Sequence, residues 1–160
     1  MFQGTHTALI TPFRNGEVDT EAFRALIDRQ VKGGVDGIVP CGTTGESPTL
    51  GRKEHLHVIE LAVEYAAGRI KVIAGTGANA TSEAIHLTTE AAKLGVDATL
   101  QVCPYYNKPS QEGLYQHYKA IAQCSDLPIM LYSIPGRSVI EIAVETIARL
   151  AADCPTIIAN

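Results

Sequence analysis

The sequence predicts an α/β fold in which a parallel sheet is covered by helices, and three observations carry that expectation. Short apolar runs alternate with amphipathic helical stretches along all 160 residues. The runs are apolar throughout, as strands buried on both faces are. A helix-to-strand joint also recurs. Lys32-Gly33-Gly34-Val35-Asp36-Gly37-Ile38-Val39 is echoed 61 residues on by Lys93-Leu94-Gly95-Val96-Asp97-Ala98-Thr99-Leu100, a separation of two βα units of about 30 residues each. Five such units and a sixth strand match the first part of an eight-stranded (β/α)8 TIM barrel, which needs about 250 residues. Residues 1–160 are therefore expected to be the N-terminal portion of a single barrel domain. The apolar strand Thr156–Asn160 has no helix to cover it, and it reads as an edge that continues into a longer chain.

Each element has a local reason. Thr5–Ile10 is a strand stopped by Thr11-Pro12. Asp19 can cap a helix to about Lys32 with Phe23, Leu26, Ile27 and Val31 on one face, ended by Gly33-Gly34. Gly37 opens the next strand, which breaks at Gly42-Thr43-Thr44-Gly45-Glu46. A helix follows over Arg52–Tyr65, with Leu56, Ile59 and Val63 among its apolar positions. Ile70–Ala74 is a strand, and Thr81 is placed to cap a helix to Leu94, closed by Gly95. Ala98–Cys103 is a strand, Ser110 caps a helix to about Cys124, and Ile129–Tyr132 is a strand. A helix over Ala143–Ala152 and a strand from Thr156 complete the pattern.

Composition narrows the function. Hydrophobic residues make up 46%, enough for a proper core. The net charge is −4 without runs of like charge, which argues against nucleic-acid or anionic-membrane partners. Cys41, Cys103, Cys124 and Cys154 are scattered with no Cys-x-x-Cys spacing and read as reduced thiols. No apolar run approaches the ~18 residues of a membrane span, and no basic-then-apolar leader opens the sequence. A soluble, cytoplasmic protein is expected.

In a barrel, chemistry belongs at the C-terminal ends of the strands. That rim collects Thr11, Thr43, Thr44, Glu46, Gly75-Thr76-Gly77, Tyr105, Tyr106, Asn107, Lys108, Tyr132, Ser133 and Arg137, whereas Asp36, Arg69, Lys71, Asp97 and Asp126 fall at the opposite, stabilising end. The Gly-Thr-Thr-Gly turn offers hydroxyls and N–H groups to a small carboxylate or phosphate, or is an ordinary βα turn. Tyr106 and Tyr132 offer phenols for proton transfer, or simply pack with their hydroxyls in water. Arg137 offers a planar fork to a carboxylate, or is a solvated turn residue. Lys108 is the one lysine of six on this rim, either a nucleophile or an exposed loop ammonium. Two patterns are set aside. Gly75-Thr76-Gly77-Ala78-Asn79-Ala80 fits a dinucleotide fingerprint, but its acidic partner Asp97 begins a strand instead of ending one. The five histidines form no metal pattern, His55 and His57 pointing to different helix faces. No metal and no organic cofactor is expected.

Three motifs in order, Gly42-Thr43-Thr44-Gly45-Glu46, Pro104-Tyr105-Tyr106-Asn107-Lys108-Pro109 and Tyr132-Ser133-Ile134-Pro135-Gly136-Arg137, resemble those of the dihydrodipicolinate synthase family. That family comprises pyruvate-dependent class I aldolases with (β/α)8 barrels. The likeness extends through Ala74–Thr81 and Pro109-Ser110-Gln111-Glu112-Gly113. It implies a lyase of lysine and diaminopimelate biosynthesis that condenses pyruvate with L-aspartate 4-semialdehyde through a Schiff base. The nucleophilic lysine would stand immediately after Asn160. Thr44 would hold the pyruvate carboxylate, and Thr43, Tyr106 and Tyr132 would relay protons. Tyr106 would serve a neighbouring subunit of a homotetrameric dimer of dimers, and Arg137 would grip the semialdehyde carboxylate. A lysine feedback site would use Ser47, His55, Asn79, Glu83 and Tyr105. The sequence departs from that site, since Arg52 stands where lysine-sensitive bacterial relatives carry His and Pro48 replaces a small residue, so strong feedback is not expected. Two rivals are a sister aldolase acting on N-acetylneuraminate or keto-deoxy sugar acids, and a non-catalytic binding module should no lysine follow Asn160.

Overall fold

The computed structural model describes residues 2–160. Its sheet has six strands: β1 (His6–Ala8), β4 (Gly37–Val39), β5 (Lys71–Gly75), β6 (Ala98–Val102), β7 (Ile129–Tyr132) and β8 (Ile157–Ala159), side by side in chain order. Every pairing in it is parallel. The order never reverses, so the sheet has no switch point of the doubly wound kind and runs as a barrel wall does. That removes the dinucleotide reading of Gly75–Ala80. Between β1 and β4 lies a hairpin, β2 (Phe13–Arg14) with β3 (Glu17–Val18). Periodicity does not register two-residue strands. Its turn, Asn15-Gly16 with both residues at positive φ, is nevertheless the strongest short hairpin signal a sequence carries.

Helices α1 (Thr20–Gly33), α2 (Arg52–Ala66), α3 (Thr81–Leu94), α4 (Gln111–Ala122) and α6 (Val144–Asp153) follow the expected positions, with a single-turn α5 (Pro135–Ser138) in the loop after β7. Asp19 Oδ1 accepts from Ala22 N at 3.0 Å and Ser110 Oγ from Gly113 N at 3.2 Å, so both capping expectations hold. Thr81 departs from its expected role. It is the first helical residue, Ala80 occupies the cap without a side-chain bond, and the Thr81 hydroxyl lies 2.9 Å from His117 Nδ1 on α4. Its bonding capacity is spent between helices. On α2 the buried face is wider than periodicity suggests. His55, Val58, Ile59, Leu61, Ala62 and Tyr65 are buried, while Leu56 and Val63 are only half-buried, because α2 is wedged between α1 and α3 and also touches β5.

The repeated joint is one device used twice. Gly34 (φ 76) and Gly95 (φ 86) end α1 and α3 in the left-handed conformation that glycine tolerates. Two residues later, Asp36 Oδ2 accepts from Thr5 N at 2.7 Å and Asp97 Oδ2 from Val72 N at 2.9 Å. Each aspartate therefore caps the preceding neighbour strand at its N-terminal end. Lys71 Nζ reaches Asp97 Oδ1 at 2.6 Å, and Arg69 pairs with Asp28 at 2.8 Å. This end of the sheet is the stabilising end, as its polar residues suggest.

Two clusters fill the space between sheet and helices. One is built around Phe23, Ile27, Ile38, Val58 and Ile59, the other around Leu114, Tyr118, Ile121, Ile129 and Leu150. Beside the second, His117 is buried with Nε2 unpartnered, and burial lowers its pKa to about 4. The folded state thus prefers the neutral ring, and the unfolded chain binds the proton more readily. Stability is present above the ordinary histidine pKa near 6.5 and falls as pH drops from there toward about 4, by at most about 1.4 kcal/mol per pH unit for this one group. Urea titrations between pH 7 and pH 4 should show this slope, and His117→Gln should flatten it. An unchanged slope in the variant would place the acid sensitivity elsewhere.

Candidate active site

The C-terminal ends of β4 to β7 enclose a cavity of about 210 Å³. Its wall holds Thr43, Ser47, Tyr105, Tyr132 and Arg137 together with Ser138. Apolar surface comes from Leu100 and Val102, which alternate along β6 with Thr99 and Gln101 on its other face. That alternation was visible in the sequence, and it identifies the lining residues that polar reasoning passes over.

The wall depends on backbone-to-backbone packing. A Cβ on Gly75 would stand 2.0 Å from Cys41 O, and one on Gly77 would stand 2.3 Å from Val102 N. Gly75 N donates to Pro40 O at 2.9 Å, and the amides of Thr76 and Gly77 both donate to Leu100 O. Three strand ends are thereby in direct contact. Thr76 itself points away from the rim: its hydroxyl is buried behind the sheet, 2.6 Å from Gln101 Nε2 and 3.0 Å from Thr88 Oγ1. The loop is held from behind by that knot.

In the Gly42–Glu46 turn the glycines do not supply positive φ. That conformation falls on the flanking residues, Cys41 (φ 54) and Glu46 (φ 61). Gly45 is needed for closeness instead, since a Cβ there would lie 3.0 Å from both Cys41 N and Leu9 O, while its carbonyl accepts from the Thr11 hydroxyl at 2.8 Å. The amides of Gly45, Glu46 and Ser47 turn back onto Gly42 and Thr43 carbonyls. Those of Thr43 and Thr44 donate to no backbone acceptor among the described residues, and amides left open in a turn are a feature that anion-binding turns share. Left-handed residues gather at this rim. Of the seven non-glycine cases among the described residues, Cys41, Glu46, Tyr106, Lys108 and Val139 lie on its loops. Such strain concentrates where function demands a geometry that local preference opposes.

The electrostatics favour groups that keep their protons. Burial, and then the charge of Glu83, raises the pKa of Tyr105, which remains a donor. Burial pushes the Cys41 thiol far above its ordinary range, and it raises Cys103 as well, so neither offers a thiolate nucleophile. His55 is buried behind the wall with Nε2 2.7 Å from Gly75 O, and burial lowers its pKa, so it donates from a neutral ring. Among the described residues no lysine lines the cavity. Lys108 sits exposed on the loop after β6.

Thr43, Tyr132 and Arg137 converge on one cavity, joined by Ser47 and Tyr105. Thr44 is exposed beside it, and Tyr106, 90% exposed, lies outside the lining. His55, Asn79 and Glu83 lie outside the lining. The Asn79 carbonyl accepts from Asn107 Nδ2 at 3.0 Å, and the Glu83 carboxylate is gripped by Arg52 through Nε at 2.9 Å and through Nη2.

The model of the dihydrodipicolinate synthetase family matches residues 1–159. The chain belongs to the dihydrodipicolinate synthetase family. It is 59% identical over 160 residues to the 4-hydroxy-tetrahydrodipicolinate synthase of Aquifex aeolicus, a match that takes in 100% of this chain and 54% of that protein. The crystal structure of the Aquifex aeolicus dihydrodipicolinate synthase aligns with a TM-score of 0.98 at 57% identity, over 99% of this chain and 55% of the other. A chloride-inhibited dihydrodipicolinate synthase from Acinetobacter baumannii, solved in complex with pyruvate, aligns with a TM-score of 0.95 at 48% identity over 99% of this chain and 55% of that one. The chain spans about half the length of the curated relatives it matches. Its sheet is accordingly part of the barrel wall of that family.

Within this family member, the glycine contacts make a direct test of the wall. Gly75→Ala should destabilise the fold by roughly 1–3 kcal/mol, because a backbone carbonyl cannot yield as a side-chain end can. Gly51→Ala, whose Cβ would meet open space, should be near neutral by the same chemical denaturation. Equal effects would refute the close approach.

Proposed function

We propose that this chain supplies the substrate-receiving half of an enzyme that condenses pyruvate with L-aspartate 4-semialdehyde through a Schiff base, yielding 4-hydroxy-tetrahydrodipicolinate. The observation that carries the proposal is the convergence of Thr43, Tyr132 and Arg137 on one cavity. The reactive lysine is proposed at the position following Asn160. Met130 of β7 pairs with Ala159 of β8, so continuing that register brings the next position level with Tyr132. The pyruvate complex of the Acinetobacter baumannii relative supports pyruvate as the first substrate.

In this reading the free amides of Thr43 and Thr44 receive the pyruvate carboxylate, helped by the Thr44 hydroxyl. The lysine amine attacks the ketone, and loss of water, with protons passed through Tyr132, leaves a cationic iminium. The positive charge makes the neighbouring methyl acidic, and loss of one proton gives an enamine. That carbon attacks the aldehyde, whose oxygen is protonated from the Thr43–Tyr132 relay. Arg137 holds the carboxylate of the second substrate with its planar fork. Tyr106, projecting into solvent from a left-handed backbone, completes the relay of a neighbouring subunit in a dimer of dimers. The setting is proposed as cytoplasmic, and no described helix is long and apolar enough to cross a membrane.

Two measurements test this. Borohydride reduction of the full gene product with pyruvate should fix the keto acid to one lysine, and Arg137→Ala should leave that trapping intact while lowering condensation on the order of 100-fold. Equal loss of trapping and condensation would contradict the role given to Arg137. Feedback by L-lysine should be weak, since Arg52 already occupies the Glu83 carboxylate. A calorimetric titration giving a dissociation constant tighter than about 100 μM would overturn that expectation.

A further inference from the structure

The turn that carries Arg137 is held by one buried hydroxyl. Ser138 has no exposed surface (0%). Its Oγ lies 3.0 Å from Ile134 O and 2.9 Å from Ile140 O, so its single proton is shared between carbonyls on either side of Arg137. The amides of Arg137 and Ser138 also converge on Ile134 O, each at 2.9 Å. Directly after the serine, Val139 takes φ 67, a conformation that a β-branched residue avoids. Local preference therefore opposes this turn, and a contact beyond the backbone has to maintain it. Downstream, the connection to α6 is anchored independently. Gln111 donates from Nε2 to Glu141 O at 2.9 Å and accepts from Ala143 N at 3.0 Å and Thr146 Oγ1 at 2.7 Å, while Ser133 Oγ accepts from Ile142 N at 3.2 Å. Ser138 is the tie within residues 134–140. Arg137 itself enters none of the ion pairs among the described residues, so the turn alone aims it at the cavity.

We propose that Ser138 is a positioning residue: its hydroxyl clamps the Ile134–Ile140 turn and thereby sets the reach of Arg137 toward the carboxylate of the second substrate. This rests on the reading of Arg137 given above. Although Ser138 stands in the cavity wall, its hydroxyl is engaged with the Ile134 and Ile140 carbonyls and acts through Arg137. Its effect is confined to whatever Arg137 binds, and the first substrate, received across the cavity at Thr43, is indifferent to it.

The experiment compares wild type, Ser138→Ala and Ser138→Thr in the full gene product. Ser138→Ala should raise KM for the semialdehyde on the order of tenfold, as loss of one hydrogen bond's worth of placement would, with KM for pyruvate and borohydride trapping unchanged. Ser138→Thr, which keeps the hydroxyl, should restore the wild-type ratio of the two KM values. Hydrogen exchange of the Arg137–Val139 amides should quicken at least about tenfold in Ser138→Ala while α2 and α3 keep their protection. Equal rises in both KM values, or unchanged exchange in the turn, would overturn the proposal. So would a Ser138→Thr protein that melts with wild type yet behaves as the alanine variant. A wild type that turns over neither substrate would strike at the proposed reaction instead, and the exchange measurement would then decide the clamp by itself.

Discussion

At Gly75 and Gly77 the chain carries no atom beyond Cα, and the ends of three strands can touch only for that reason. Gly75 lies against the Cys41 carbonyl and Gly77 against the Val102 amide, at separations where a methyl group would overlap backbone. Much of the rim follows from this approach. Cys41 is forced to positive φ where the chain must turn away over Gly75, and the turn that follows places Thr43 on the cavity wall. The Gly75 carbonyl faces the helix layer and receives His55, so the same residue joins the cavity to α2. Backbone cannot relax as side-chain ends do, and a site built on such contacts is preorganised before any ligand arrives.

The two ends of the sheet divide the work. At the N-terminal ends, carboxylates satisfy strand amides, and Lys71–Asp97 and Arg69–Asp28 pair charges at the surface, where each contributes only a little. At the C-terminal ends there are left-handed residues, together with two amides and a guanidinium that have no protein partner among the described residues. A segment held in conformations it does not prefer has to draw its stability from elsewhere. Here the sources are the two apolar clusters and the buried Thr76–Thr88–Gln101 knot behind the rim. The repeated Gly-Val-Asp joint supplies the base twice over, and nothing comparable repeats at the rim, because each rim loop has a different side chain to present.

What could be read from the sequence was whatever local physics decides. Continuous apolar runs identified the strands, and Asp19 and Ser110 sit before their helices with donors in reach. Thr43, Tyr132 and Arg137 could be assigned to one rim from their places at strand ends, and the structure brings all three to one cavity. The errors share one cause, a tertiary neighbour that redirects a side chain. Thr81 spends its hydroxyl on His117, Thr76 turns behind the sheet to Gln101, and α2 buries His55 because Gly75 offers it an acceptor. Nothing adjacent in sequence announces these partners. The left-handed conformation of Cys41 was invisible for the same reason, since its cause lies across the sheet in β5.

The cavity's chemistry is that of reception. Its phenol Tyr105 and thiol Cys41 are held in protonated form by burial, and its cation is the guanidinium of Arg137. None of these attacks a carbonyl. A wall of neutral donors with one fixed positive charge stabilises anions and oxygen atoms that gain negative charge, and it repels no incoming carboxylate. In the reading proposed above, the attacking group is an amine, whose charged form the apolar lining would disfavour before reaction. Under the same proposal Leu100 and Val102, the latter beside Tyr132 on the neighbouring strand, supply the apolar surface against which that amine would be kept neutral.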